Sequence, residues 1–600
     1  MSRPRRLSSY ACASRWCSLS AALLSLNSAA CSSSSDAKSP ARAGADNGGA
    51  VSGDAGKGNL TAGNGPGGQG GASATPGGSA GSDAIGVGGN ASGGSPAGGT
   101  GPGGASALGP TVNDFIGLDA FIDDPMDKIL PIGNVREYHP WQWNEGDGNK
   151  ATPAYPNEPI ALSPTSNGIP YDEYYKSFHD AGLINLPCVQ GSVPWLNFNN
   201  PAVPTGADVT LPVSWVGHSK FFFQIAARYG GTAVPAAQLK LAASNTPKSG
   251  LGLVTYYEDG NELDENWTTG GDNLLSPAGM AAMNSADRDG DQGRLGAGFG
   301  VKTADPNAKL VMAGLAGSGK SSDLITNVTT YLDGMRAWAS AHRDGDFPAD
   351  VINVHDYCFG PDAFGDANPR PALSPEQCGL GAQLKRLAAY RDQFLPGKEV
   401  WLTEFGYDTA DHSRLRAPAI GSASAEVVQG QWLLRSFLAL FESGIDRAFL
   451  YVSRDNCTGD LTKCPNRNVQ FSTAGILSEK GSEAPKVAWY FLAAFRARLA
   501  RFAYAGRASQ VNDPVSVARF YDPAKKQGAY VVWSPTSDGS TVAGFHLPVA
   551  STATPTAVIT LETASVTGHS APPVNAAGGV TLDVSETPLI VLVDGSPLGS

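Results

Sequence analysis

The sequence predicts an α/β protein, a (β/α)8 TIM barrel followed by a small C-terminal antiparallel β-sandwich. Three observations predict it. Eight short apolar runs alternate with helix-patterned segments between residues 111 and 501. Two of those runs end in a glutamate, Glu262 and Glu404, where a barrel presents side chains at its open face. From about Phe502 the apolar period becomes two, with turn residues between the runs.

Residues 1–31 read as an export leader. Arg3, Arg5 and Arg6 make a basic start, Leu19 to Leu26 a short apolar core, and Ser28-Ala29-Ala30 a small-residue cleavage pattern. Cys31, directly after it, resembles a lipobox cysteine, so lipidation there and plain secretion are both open. Residues 32–110 are mostly Ser, Ala and Gly, and no aromatic falls between Trp16 and Phe115. Such a segment cannot bury enough apolar surface to offset its chain entropy, and it reads as a tether. The net charge of −12 offers no basic footprint for nucleic acid. A membrane enters the reading only through a lipid at Cys31, and nothing in the sequence sets an oligomeric state.

The barrel strands are expected at Phe115–Phe121, Val135–Trp141, Leu183–Val189, Leu251–Glu262, Lys309–Leu315, Val351–Tyr357, Glu399–Gly406 and Arg447–Ser453. They are nearly continuous apolar runs, as buried parallel strands are. Helices are expected at Tyr171–Ala181, Phe221–Tyr229, Asp323–His342, Leu380–Leu395, Val427–Phe441 and Pro485–Leu499. Gly230-Gly231, Pro396-Gly397 and Gly444 stop three of them. The first crossover, Asp124 to Pro131, has room for a turn or two. Sandwich strands are expected at Val515–Phe520, Ala529–Trp533, Val542–Leu547, Ala557–Leu561 and Leu589–Val593, within residues 502–600.

Five cysteines follow the leader. Cys358 and Cys378 bracket one short loop and Cys457 and Cys464 another, which predicts two local disulfides in an oxidising compartment. Cys188 is left as a core thiol. No Cys/His spacing predicts a metal site, and no cofactor is implied.

Glu262 and Glu404 are 142 residues apart, about three βα units, which sets them across the barrel mouth from one another. Asn261 precedes the first glutamate. Glu258, further back on the same strand, needs a partner inside the barrel, and Arg136 on the second strand is a candidate. Arg136 can instead serve Glu404 at the mouth. His355 and Tyr357 close the sixth strand and are candidates to support Glu404 or to sit in the core. Trp143, Trp195 and Trp267 follow strand ends, where an aromatic face serves either as a ligand platform or as core.

These residues carry a resemblance. Gly182-Leu183 with Pro194-Trp195-Leu196, Arg228-Tyr229-Gly230, Tyr257-Glu258 into Asn261-Glu262, Val354-His355 to Tyr357, and Trp401-Leu402-Thr403-Glu404-Phe405-Gly406 resemble the clan A glycoside hydrolases, most closely family 39. The resemblance covers residues 112 to 500. It implies a carbohydrate substrate, Glu262 as acid/base and Glu404 as nucleophile, with Asn261, His355, Tyr357, Trp267, Arg136 and Trp195 as candidate sugar-site residues. Leu263 stands where that family has Pro. A non-catalytic carbohydrate-binding surface protein on the same barrel is the alternative.

Two further motifs point elsewhere. Gly314 to Ser321 is a literal GxxxxGKS, preceded by an apolar run and followed by a helix. Its strand is the fifth of a regular series, and no convincing Walker-B Asp follows. Asp287-Arg288-Asp289-Gly290-Asp291 begins like a calcium loop, but Gln292 and Gly298 stand at its Gly and Glu positions. It is expected to be a solvated acidic turn.

Overall fold

The computed structural model describes residues 108–145, 160–193, 195–196, 201–265, 274–363, 366–456, 470–511 and 513–598. The leader, the tether up to residue 107 and the expected Cys457–Cys464 bridge lie outside these residues, as does Trp267. The last residues of the expected tether are not free: Gly109 donates its N–H to the Tyr504 carbonyl at 2.8 Å, and Tyr504 donates to the Pro110 carbonyl at 3.0 Å.

Eight parallel strands close into a barrel. They are β1 (Ile116–Ala120), β2 (Asn134–Pro140), β3 (Asn185–Gln190), β4 (Tyr256–Asn261), β5 (Lys309–Gly314), β6 (Val351–His355), β7 (Glu399–Phe405) and β8 (Arg447–Leu450). Closure is direct, with Ile116 to Leu118 of β1 in register with Ala448 to Leu450 of β8. Helices follow each strand: α1 (Met126–Ile129), α2 (Tyr171–Asp180), α3 (Val216–Tyr229), α4 (Pro277–Asp289), α5 (Leu324–His342), α6 (Leu380–Phe394), α7 (Ala425–Ser443) and α8 (Val487–Leu499). The first crossover is a single turn, as its length requires.

Several boundaries differ from expectation. Strand β4 begins at Tyr256, not Leu251, because Leu251 and Leu253 donate their N–H groups to the carbonyls of Arg228 and Tyr229. Helix α4 was not expected at all. It is buried on every side from Gly279 to Asp287, a stretch of small and polar residues that marks no apolar stripe. The expected acidic turn is also not solvated. Asp287 is buried in α4, Asp289 pairs with Arg343 at 2.7 Å, and Asp291 pairs with Arg294 at 2.8 Å.

The barrel floor is an apolar plug of Leu186, Tyr256, Val311, Val351, Trp401 and Phe449. Inward positions above it are polar and carry the site. After α8 the described residues form nine strands, more than the five expected: β9 (Ala503–Arg507), β10 (Ser516–Asp522), β11 (Gln527–Trp533), β12 (Val542–Pro548), β13 (Ala553–Thr560), β14 (His569–Ala571), β15 (Asn575–Ala576), β16 (Gly579–Val584) and β17 (Leu589–Gly595). One sheet has the order β14-β13-β17-β11-β10-β9 and the other β12-β16-β15. Val517, Val532, Leu547, Val580, Val584 and Val591 pack together as their core. β16 (Gly579–Val584) alternates buried Val580, Leu582 and Val584 with Thr581 and Asp583, a period-two run that the five expected strands did not include. The sandwich rests on α7: Phe520 packs edge-on against Phe441 at 5.3 Å, and Arg507 pairs with Glu442 at 3.0 Å.

Candidate active site

Arg136 of β2 is the hub. It is fully buried, and its guanidinium donates in every direction: Nε and Nη2 to Glu258 at 2.6 and 3.1 Å, Nη2 to Asn261 Oδ1 at 2.6 Å, Nη1 to Asp119 at 3.3 Å and to Glu404 Oε1 at 2.8 Å. Both sequence readings of Arg136 therefore hold at once, because one planar five-donor fork spans the barrel. Asn353 also donates to Glu258 at 2.9 Å, and Thr403 to Asn353 at 2.9 Å. Cys188 sits 3.3 Å from Arg136 Nη2, so this core thiol forms part of the wall beneath the site.

Two local irregularities aim the carboxylates. In β7 the register slips by one residue between Leu402 and Phe405, so that His355 lies beside Glu404 rather than Thr403. The extra residue lets Thr403 and Glu404 both reach inward groups, a common device beside functional sites. In β4, Gly260 at φ +94° breaks the alternation and lets Asn261 face Arg136. A Cβ at Gly260 would lie 2.7 Å from Leu263. Gly314 makes the other close approach, since a Cβ there would lie 2.1 Å from His355 Nε2.

Glu404 accepts from Arg136, from Tyr138 at 2.6 Å and from Tyr357 at 2.9 Å. Glu262, itself in the left-handed region at φ +50°, pairs with His355 Nδ1 at 2.8 Å, and His355 Nε2 meets Thr403 at 3.0 Å. One oxygen of each glutamate and a nitrogen of His355 lie within 4.8 Å of one another. The two carboxyls are pushed apart in acidity. Burial raises Glu262 above the ordinary glutamate value, only partly offset by His355 and reinforced by Glu404. Burial also opposes ionisation of Glu404, but His355, Arg136 and the two phenols outweigh it and hold it below the ordinary value. His355 is raised: burial disfavours its charged form, and the two glutamates outweigh burial. Glu262, His355 and Glu404 have the donor types of a metal site. Three donors already converge on Glu404, however, which suits an ionised carboxylate held for reaction.

The loop after Glu262 explains the GxxxxGKS motif. Backbone N–H groups of Ala316, Gly317 and Ser318 donate to the Asp264 carboxylate at 2.9, 2.9 and 3.2 Å, and Ser318 donates to Glu265. Successive N–H groups of this kind form an anion-binding nest. Here the anion is the protein's own Asp264, while Lys320 is exposed.

Asn261, Glu262, His355, Tyr357, Glu404 and Arg136 thus converge. Trp195 packs on Trp141 and α3: its ring stands edge-on to Trp141 at 6.0 Å and lies over Gly217 of α3. Sequence reasoning missed Asp119, Tyr138, Asn353, Thr403 and Asp264. Tyr138 was within reach, two residues from Arg136 on one strand and hence on the same face. Asp119, buried and raised by that burial, gives no signal within β1. The structure contains the Cys358–Cys378 disulfide, with Cα atoms 5.6 Å apart, in the segment that follows β6.

No protein-family model matches the sequence, and no curated protein matches it. Solved structures do. A family 39 glycoside hydrolase from Bacteroides cellulosilyticus WH2 is 15% identical with a TM-score of 0.49, over 80% of this chain and 81% of that one. A GH30 endoxylanase from Clostridium papyrosolvens C71 is 12% identical with a TM-score of 0.43, over 82% and 98%. A family 51 α-L-arabinofuranosidase from Bifidobacterium longum is 13% identical with a TM-score of 0.46, over 81% and 97%. These are likenesses of chain trace alone.

Proposed function

We propose that this protein is a retaining glycoside hydrolase of the clan A type, exported and lipid-anchored at Cys31. The observation that carries the catalytic reading is the carboxyl pair at the mouth, close together and shifted in opposite directions. Retaining enzymes hold their two carboxyl groups about 5–5.5 Å apart, and inverting ones about 6.5–9.5 Å, to leave room for water. Oxygens within 4.8 Å of one another favour the first geometry.

Glu404, kept ionised by Arg136, Tyr138 and Tyr357, attacks the anomeric carbon. Glu262, kept protonated, gives its proton to the departing glycosidic oxygen. A covalent glycosyl-enzyme forms, and Glu262, now ionised, takes a proton from the water that resolves it. His355 stays hydrogen-bonded to Glu262 through both steps. Asn261 Oδ1 is occupied by Arg136, which leaves its amide nitrogen to donate to a sugar hydroxyl. Tyr138 moves its hydrogen bond with Glu404 as the charge on that carboxylate is spent.

The test is the anomer first released from an aryl glycoside, read by proton NMR before mutarotation. Retention is expected. Inversion would remove Glu404 as nucleophile. Sugar binding without turnover, equal in wild type and Glu262→Gln, would favour a binding protein instead.

A further inference from the structure

We propose that His218, Asp259 and Asp287, with Asn284 as a fourth donor, form a closed structural site for a divalent transition cation, with Zn2+ the best match to the donor set. The cluster lies on the face of β4 opposite Glu258, where Asp259 meets His218 of α3 and Asn284 and Asp287 of α4. It is separate from the carboxyl pair at the mouth.

Four observations carry this. The geometry is convergent: His218 Nδ1 lies 2.8 Å from Asp287 Oδ2 and 3.7 Å from Asp259 Oδ1, and one ligand atom from each of the three lies within 4.8 Å of the others. A tetrahedral ion about 2.0–2.1 Å from its ligands sets them roughly 3.3 Å apart, between these two distances. The site is dry, since Asp259, Asn284 and Asp287 are fully buried and His218 is 4% exposed. Asn284 Nδ2 donates to Asp259 Oδ2 at 2.5 Å, which sets this amide beside the cluster. Its Oδ1, with Asp259 Oδ1 and Asp287 Oδ1, is buried without a hydrogen-bond partner. No lysine or arginine among the described residues pairs with either carboxylate. Two buried carboxylates with no cation are costly, and a divalent ion cancels that charge.

The donor set selects the ion. One imidazole nitrogen with carboxylate and amide oxygens suits Zn2+ and its neighbours, whereas Ca2+ takes six to eight oxygens. Four protein groups leave no open position, so the ion would be structural. Asn284 and Asp287 lie one turn apart on α4, and the ion would pin α3 and α4 to β4 three residues before Glu262. The ring of His218 is oriented by Trp141, Trp215 and Phe222, at 5.0–6.1 Å. The competing state has no ion and keeps both carboxyls protonated, the direction in which burial pushes each of them.

The experiment is elemental analysis of the full-length protein produced in medium supplemented with Zn2+ and Mn2+ and then dialysed against chelator. About one ion per chain is expected. Asp287→Asn should lower the content at least tenfold, while Glu262→Gln keeps it. If Asp287→Asn does not fold, X-ray absorption of the wild type decides, with one nitrogen and oxygens in a tetrahedral first shell expected. A metal-free wild type whose infrared spectrum shows protonated carboxyls that vanish in Asp259→Asn overturns the proposal. So does an ion lost in Glu262→Gln and kept in Asp287→Asn, which would place it at the mouth.

Discussion

Asp264 is the sharpest test of how the loop that carries Glu262, the proposed acid/base, is held. Glu262 sits at φ +50°, a left-handed conformation that costs a non-glycine residue about 1–2 kcal/mol. Leu263, unlike a proline, does nothing to fix the backbone beside it. The restraint comes from Asp264, 3% exposed, which takes three backbone N–H groups from the loop after β5. Hydrogen bonds to a charged group contribute about 1.5–3 kcal/mol each, and three sharing one carboxylate give less than their sum. Water reaches Gly317 and Ser318 on their half-buried loop, which recovers part of the loss. The net anchor is therefore about 2–4 kcal/mol, larger than the strain it opposes. Asp264→Ala should lower the unfolding free energy by about that amount in denaturant titration. It should also lower kcat by about 10- to 100-fold on glycosides with poor leaving groups, and much less on activated aryl glycosides that depart without a proton. Asp264→Asn keeps one accepting oxygen and should fall between. Lys320→Ala, an exposed change in the same motif, should alter neither quantity. Unchanged stability and an unchanged leaving-group dependence in Asp264→Ala would refute the anchor.

Four further outcomes are expected. Glu404→Ala should abolish turnover on every substrate, whereas Glu262→Ala should retain activity on activated aryl glycosides and be partly rescued by azide; rescue that yields an inverted azide adduct would reverse the assignment. The pH profile of kcat/KM should be a bell. Activity rises as Glu404 ionises, below the ordinary glutamate value, and falls as Glu262 loses its proton, above it; a basic limb that survives in Glu262→Gln would assign that limb to another group. Cys358→Ser should lower stability by about 3 kcal/mol, the chain-entropy value for the 20-residue separation, and non-reduced peptide mapping should show Cys457 joined to Cys464 as well; four free thiols would remove both bridges. Cys31→Ser should release the protein from membranes, and unchanged membrane association would leave secretion without a lipid.

The sequence by itself determined what short segments can encode. Apolar runs such as Lys309–Leu315 and Val351–Tyr357 must be buried strands, and their alternation with helices selects a barrel. A carboxylate at the end of such a run, as at Glu262 and Glu404, must lie at the mouth, because strand ends in this fold meet there. Asp287 to Asp291 shows the limit: charge alone read as solvent, and only packing against Arg343, Arg294 and His218 made it interior. Tertiary structure alone decided how the site is wired. The slip in β7 that seats Glu404 beside His355 is a matter of register between strands, which neither strand states separately. The reach of Arg136 to Glu258, Asn261, Asp119 and Glu404 joins residues up to 268 positions apart. Likewise, the Gly314–Ser321 loop looks like a phosphate cradle until the fold brings Asp264 into it. A nest of backbone N–H groups specifies only that an anion belongs there, and the closed barrel specifies which one.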